Sequence, residues 1–185
     1  RRAGGGGELS QKAAGSRVII STCTIGGVRR DISDENFSMI LSTLKETEKE
    51  LDKITSVIEK DYTVRKRCIG IGPMSKEQAL AFGAVGPTLR ASGVAEDARL
   101  LGYAAYKSLK FEPVVEYGCD SYARALVRVR ETSQAIGLVR QEIDQMPAGT
   151  TAATVRGTPP GEGAAGVEAP RVGGLSSGAP DRGAV

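Results

Sequence analysis

The 185-residue sequence contains no histidine and no tryptophan, and only three phenylalanines and five tyrosines. Without His there is no imidazole base, no His-ligated metal and no Ser-His-Asp triad in this chain. No apolar run approaches the ~18 residues that a bilayer-crossing helix takes. Cysteine is sparse: Cys23, Cys68 and Cys119 are odd in number, far apart and never in a Cys-x-x-Cys pair. That pattern argues against a disulfide framework and a zinc site, and fits three reduced, small, largely buried side chains of an intracellular protein. Charge of one sign is also lacking. Twenty-five basic and 22 acidic residues leave a net +3, which gives no electrostatic case for nucleic acid or an anionic membrane. Arg1-Arg2-Ala3 and the four glycines after them carry no apolar signal-peptide core, and with no initiator Met the chain reads as processed, excised or incomplete.

What remains, 40% hydrophobic and 25% charged, suffices for one domain with a modest core. Composition divides it into three parts. Residues 1–17 are Gly/Ala/polar and read as a flexible N-terminal segment. Residues 18–146 carry periodic apolar patterning. Residues 147–185 hold nine Gly, five Pro and no aromatic residue, and read as an irregular or disordered tail.

Val18-Ile19-Ile20 reads as a short buried strand closing in a turn at Gly26-Gly27. Over residues 34–60, Phe37, Ile40, Leu41, Leu44, Leu51, Ile54 and Ile58 follow helical spacing, with Ser33 or Asp34 as the cap. Gly70, Gly72 and Pro73 break the chain. Ser75-Lys76-Glu77-Gln78 has the form of a capping box, which predicts a helix from Lys76 to Phe82 that Gly83, Gly86 and Pro87 stop. Another helix is expected over Asp97–Ser108 and a last long one over Asp120–Gln145, with Tyr122, Leu126, Val129, Ile136, Val139 and Ile143 as its apolar stripe. The expected fold is mainly α, an irregular helical bundle with two long helices and flexible Gly/Pro-rich ends.

No nucleophile–base pair and no metal-ligand cluster stands out. Gly70-Ile71-Gly72 is a weak phosphate-loop candidate, because the third glycine of G-x-G-x-x-G is replaced by Ser75. The small-residue stretch from Gly83 to Gly93 reads as a compact interhelical turn. Arg90, Asp97 and Arg99 fall close together and suit a buried ion-pair network holding that loop. Asp120, Arg124, Arg128 and Glu131 supply a second set of charges. Asp120 and Arg124 share a helix face, as do Arg124 and Arg128, which suits paired charges at an interface. No aromatics interleave with these arginines, so a nucleic-acid stripe is disfavoured.

Longer motifs run through the same residues in order. Cys23-Thr24-Ile25-Gly26-Gly27-Val28-Arg29-Arg30-Asp31-Ile32 resembles the "IGGVRRD" segment of the large subunit of membrane-bound, energy-converting nickel–iron (NiFe) hydrogenases. It is also similar to a segment of the related 49-kilodalton, quinone-site subunit of respiratory complex I, the NADH-quinone oxidoreductase. Gly70-Ile71-Gly72 with Ser75–Phe82 resembles "GxGxxSxEQALxxG". Gly86–Val94, Asp97-Ala98-Arg99 and Tyr103–Tyr106 resemble "GPxxRASGVxxDxRxxxPYxxY", with Gly102 where the family often has Pro. Tyr117–Arg124 is similar to "GDxYAR" with Cys119 inserted, and Arg128 and Glu131 fit "R…RxxE". Val167-Glu168-Ala169-Pro170-Arg171 resembles the start of "EAPRGE", after which Val172 departs from it.

The resemblance implies that residues 18–146 are the core of a large-subunit fold, scaffolding an active site against an iron–sulfur small subunit. It implies proton reduction or H2 oxidation in a complex with membrane subunits, peripheral on the cytoplasmic face. The complex I alternative is electron transfer from NADH to quinone, with NAD and quinone as cofactors of the complex. Arg171 matches the arginine that lies beside the hydrogenase metal site. The family's nickel–iron centre takes its thiolates from two Cys-x-x-Cys motifs, which this chain lacks, so the chain alone is expected to hold no cofactor. A reading of another class is a metal-free helical interaction module.

Overall fold

The computed structural model describes residues 11, 15, 22–155, 163–168 and 173–178. The expected strand at Val18–Ile20 lies outside them, as does most of the N-terminal segment. The described chain is mainly helical. A small hairpin, β1 (Cys23–Thr24) and β2 (Gly27–Val28), opens it. Gly26 turns this hairpin at φ +94°, a conformation that favours glycine. The segment 151–153 lies along its edge: Val28 N–H donates to the Thr151 carbonyl at 3.0 Å and Ala153 N–H to that of Gly26 at 3.0 Å.

Helix α1 (Asp34–Lys60) starts where the sequence places it. Ser33 is its cap, and Asp34 and Glu35 sit at the positive end of its dipole. A short helix α2 (Tyr62–Cys68) follows, which the sequence pattern does not predict. Asp61 separates the two, leaving the helical conformation and accepting the Val64 N–H at 2.9 Å as a new cap. Helix α3 (Lys76–Ala81) has the full capping box: the Ser75 hydroxyl accepts the Gln78 N–H, and the Gln78 side chain accepts the Ser75 N–H.

Two local expectations are corrected. Within the stretch read as a turn, Gly86–Arg90 forms a short helix, α4, because Pro87 in the first turn needs no hydrogen-bond donor there. The helix expected over Asp97–Ser108 is instead two 3-10 turns, Ala98–Leu101 and Ala104–Lys107. Gly102 at φ +68° ends the first, and Ala104 at φ +49° offsets the second, so no α-helical register continues.

Helix α5 (Ser121–Gln145) runs through the centre, capped by Asp120. It buries Ala123, Leu126, Val127, Val129, Ile136 and Leu138. The innermost residues are Ala91, Ala123 and Val127, with Val114 packed against them. Leu126, Val129 and Ile136 of the expected stripe are buried, but the buried face is wider: Val127, absent from the stripe, is fully buried, while Val139 and Ile143 are half-buried. In the segment expected to stay irregular, Gly163–Glu168 (β3) and Gly173–Gly178 (β4) pair antiparallel. Every residue of these two Gly/Ala/Ser-rich strands carries the backbone donor and acceptor that a ladder needs.

Candidate functional site

Arg90 closes α4, a helix with four of its five residues buried, so its side chain starts in the interior and stays there. Its side chain is 4% exposed. An unpaired charge at that depth is prohibitive, and Arg90 meets three carboxylates. Nε donates to Glu131 at 2.6 Å, and Nη1 donates to Glu168 at 2.8 Å and stands 3.2 Å from Asp97. The same Nη1 also donates to the Glu96 carbonyl at 2.9 Å. Arg99 grips Asp97 with two hydrogen bonds, at 2.8 and 2.5 Å, and stacks over Phe111 at 4.8 Å from its ring centroid.

Two guanidiniums and three carboxylates thus gather residues from α4, the first 3-10 turn, α5 and β3. Burial pushes the Asp97 carboxyl up. The hydrogen bonds from the Arg99 side chain and backbone, with the charges of Arg90 and Arg99, outweigh it and hold Asp97 below the ordinary carboxylate range. The Asp97 hydrogen bond is also the main reason that the Arg99 guanidinium is raised. A cavity of about 720 Å³ opens beside this cluster. Tyr103, Arg128, Thr132 and Ala135 line it from the helical side, and Gly166 and Glu168 from the β3–β4 hairpin.

A second cluster fastens the Gly70-Ile71-Gly72 loop to the start of α5. Asp120 accepts the Gly70 N–H at 2.7 Å while capping the helix through the Ala123 N–H at 2.8 Å. Ser121 donates to the Ile71 carbonyl at 2.9 Å, and Arg124 to the Gly72 carbonyl at 2.7 Å. The Gly70 amide that a phosphate would need is already spent on Asp120, so the loop is a tethered turn.

Of the residues singled out from sequence, Arg90, Asp97, Arg99 and Glu131 come together. Arg128 lines the cavity and donates to the Arg124 carbonyl at 2.8 Å. Asp120 and Arg124 belong to the loop cluster: the side chain of each is bonded to the loop, and the two residues meet through the Arg124 N–H and the Asp120 carbonyl at 3.1 Å. Arg171 lies outside the described residues. Sequence reasoning missed Glu168, which reaches Arg90 across 78 positions. Its membership in the Glu168-Ala169-Pro170-Arg171 motif was the only signal.

Cys23 is exposed, Cys68 and Cys119 are half-buried, and none is in a disulfide. Among the described residues no group of three or more Cys, Asp or Glu is arranged to hold a metal ion, and no helix is long and apolar enough to cross a membrane. The described residues offer no thiolate set of the kind a nickel–iron centre takes. The arrangement can fix segments against one another and shape a polar cavity.

The model of the family described as respiratory-chain NADH dehydrogenase, 49 Kd subunit, matches residues 7–171. An NADH-quinone oxidoreductase subunit of Chloroherpeton thalassium is 37% identical over 137 residues, 73% of this chain and 31% of that protein. The carbon monoxide-induced hydrogenase of Rhodospirillum rubrum is 36% identical over 167 residues, 89% of this chain and 46% of that protein. The membrane-bound hydrogenase subunit alpha of Pyrococcus furiosus is 36% identical over 152 residues, 77% of this chain and 35% of that protein. Among solved structures, a chain of the membrane-bound sulfane sulfur reductase, an archaeal respiratory membrane complex, superposes with a TM-score of 0.82 at 34% identity. That match covers 92% of this chain and 49% of that one. The chain thus spans about a third to a half of the length of these relatives.

Proposed function

The chain belongs to the family of the 49 Kd subunit of respiratory-chain NADH dehydrogenase, and from that premise we propose that it is the helical core of an oxidoreductase large subunit in a membrane-associated electron-transfer complex. The leading reading is an energy-converting hydrogenase-type subunit, working in H2 oxidation or proton reduction. The observation that carries it is the ordered motif series from Cys23 to Arg171, whose charged residues Arg90, Asp97, Arg99, Glu131 and Glu168 meet in one buried cluster. The second reading, the quinone-site subunit of an NADH-quinone oxidoreductase, is favoured by relatives named for that enzyme at the same level of identity.

In either reading residues 18–146 scaffold a site completed by partners: an iron–sulfur small subunit and membrane subunits, which hold the complex on the cytoplasmic face. A nickel–iron centre would supply H2 chemistry, and its thiolates would come from sequence outside these 185 residues. In the quinone reading, NAD and quinone are handled by the complex. Arg171 is the residue of this chain assigned to the neighbourhood of the reacting centre.

Deletion of the encoding locus, followed by assays on membrane vesicles, tests these readings. The hydrogenase reading predicts loss of H2-dependent dye reduction with NADH-dependent quinone reduction intact. Loss of quinone reduction alone selects the second reading. If both rates stay at the parental level, a helical interaction module takes their place.

A further inference from the structure

We propose that helix α2 and the turn after it form a docking surface for an acidic face of another subunit. Arg65, Lys66 and Arg67 would pair with its carboxylates, and Ile69 and Ile71 would pack on an apolar patch beside them. That such a subunit exists rests on the proposed place in a multi-subunit complex; the surface itself rests on this chain's own residues. The net charge of +3 conceals an uneven distribution. Residues 34–60 carry seven acidic and four basic side chains, whereas residues 62–76 carry four basic and no acidic ones. Arg65, Lys66 and Arg67 are all exposed, and among the described residues no carboxylate stands within ion-pair distance of any of them. By contrast, the partly exposed Arg130 and Arg140 of α5 each meet a carboxylate of this chain. A place in the last turn of α2 suits cations at the negative end of its dipole, but it leaves three charges with no counter-charge.

Apolar side chains stand out beside these cations. Tyr62 is 72% exposed, Ile69 47% and Ile71 55%. Lys66 lies over the Tyr62 ring, its Nζ 5.5 Å from the centroid. The isoleucines sit on a turn that is already fixed. Asp120 accepts the Gly70 N–H at 2.7 Å, the Ile71 carbonyl accepts both the Ser121 hydroxyl at 2.9 Å and the Ser121 N–H at 3.0 Å, and Arg124 holds the Gly72 carbonyl at 2.7 Å. Apolar residues on a preorganised turn meet a partner at little ordering cost. The spacing of the charges favours a protein over a lipid surface. Successive residues of an α-helix are about 100° apart, so Arg65 and Arg67 leave the α2 axis in nearly opposite directions. A flat bilayer faces one side of such a helix, whereas a concave protein surface reaches all three cations. Arginine and tyrosine are also side chains in which protein interfaces are enriched. Opposite charge on the partner would steer the encounter and fix its register.

The test is made on the complex isolated from membranes with the full chain. A water-soluble carbodiimide joins an amine to a carboxylate in direct contact, so Lys66 is the reporter. Mass spectrometry is expected to find Lys66 linked to an Asp or Glu of another subunit. The double reversal Arg65→Glu/Arg67→Glu should lower the yield of that link about tenfold or more. Lys45→Glu/Lys49→Glu, the same charge change at exposed positions of α1, should leave it within about twofold. Ile71→Ser should lower it about threefold or more, because the apolar contact is lost. If Arg65→Glu/Arg67→Glu blocks assembly, Arg65→Gln/Arg67→Gln gives the same reading. An intact complex in which Lys66 links to no other subunit, or equal yields from the two reversals, overturns the docking surface alone. Lys66 left unlinked in detergent, yet shielded from acetylation in nanodiscs of anionic phosphatidylglycerol, assigns the surface to a membrane and overturns it too. Recovery of the chain with no other subunit overturns the proposed function as well.

Discussion

Helices α1 and α5 are nearly equal in length, 27 and 25 residues, yet they are stabilised differently. Helix α5 buries six residues and contributes Glu131 to an ion cluster that draws in three other segments. Helix α1 buries none, and Ile54 on its apolar face is 55% exposed. Its apolar residues Phe37, Ile40, Leu44, Leu51 and Ile58 are only half-buried, and its polar ties to α5 are Glu48 with Arg140 at 2.6 Å, Glu59 with Arg130 at 3.7 Å, and the Tyr122 hydroxyl to the Glu59 carbonyl at 3.5 Å. The lesson is that apolar periodicity makes a helix but does not make it a core element. What anchors this fold is the place where small residues let backbones approach and a guanidinium is enclosed.

The largest break in this contrast is Arg90→Ala. It leaves Asp97, Glu131 and Glu168 facing one another without their shared cation, and should cost about 3–5 kcal/mol in urea unfolding. A loss under about 1 kcal/mol would mean that the cluster is not what holds the segments together. Next comes a matched pair of truncations. Leu126→Ala empties a buried site on α5 and should cost about 2–5 kcal/mol, whereas Ile54→Ala on α1 should cost only about 0.5 kcal/mol. Equal midpoints for the two would erase the distinction between the helices.

Acid titration sharpens the comparison further. Asp97 has its folded pKa below the unfolded value, so its contribution is fully present above the unfolded pKa and is lost as pH falls through the folded one. Stability followed by circular dichroism should therefore decline once pH drops below the ordinary carboxylate range, at pH ~4. Asp97→Asn should be less stable at neutral pH and show a shallower acid limb. A limb as steep as the parent's would assign the acid sensitivity elsewhere. Ser75→Ala should cost about 1 kcal/mol, because the Gln78 N–H at the start of α3 loses its acceptor while the backbone N–H of residue 75 keeps the Gln78 side chain. The smallest effect belongs to Glu48→Gln. The Arg140 hydrogen bond lowers the Glu48 pKa, but both groups are solvated, so the unfolding midpoint should not move in high salt.

Local signals in the sequence are legible where a side chain caps its own helix. Ser33 and Ser75 each sit within three residues of the amide they satisfy, so spacing alone identifies them, whereas Asp120, read from sequence as a charge on the helix face, is the cap of α5. The 3-10 geometry after Asp97 is hidden, because Gly102 at positive φ looks like any glycine in a helical pattern. The burial of Val127 is hidden too. Whether Val127 or Val139 faces inward depends on what packs there, and Ala91 and Val114 lie far from both in sequence. Much of the site is legible: Arg90, Asp97 and Arg99 are near neighbours in the chain, and Glu131 follows a familiar motif. Glu168 is marked only by its motif, which does not say that the carboxylate reaches a buried arginine 78 positions away. The tail's antiparallel pairing escapes for a related reason: composition reports side-chain burial, and this hairpin is built from backbone bonds.

Affinity isolation of the tagged chain from detergent-solubilised membranes of its own cells tests the central claim most directly. A large-subunit core should elute in a stable assembly with an iron–sulfur protein and membrane-embedded subunits. Recovery of the chain by itself, with no iron–sulfur protein in any membrane fraction, would contradict the assignment to an electron-transfer complex.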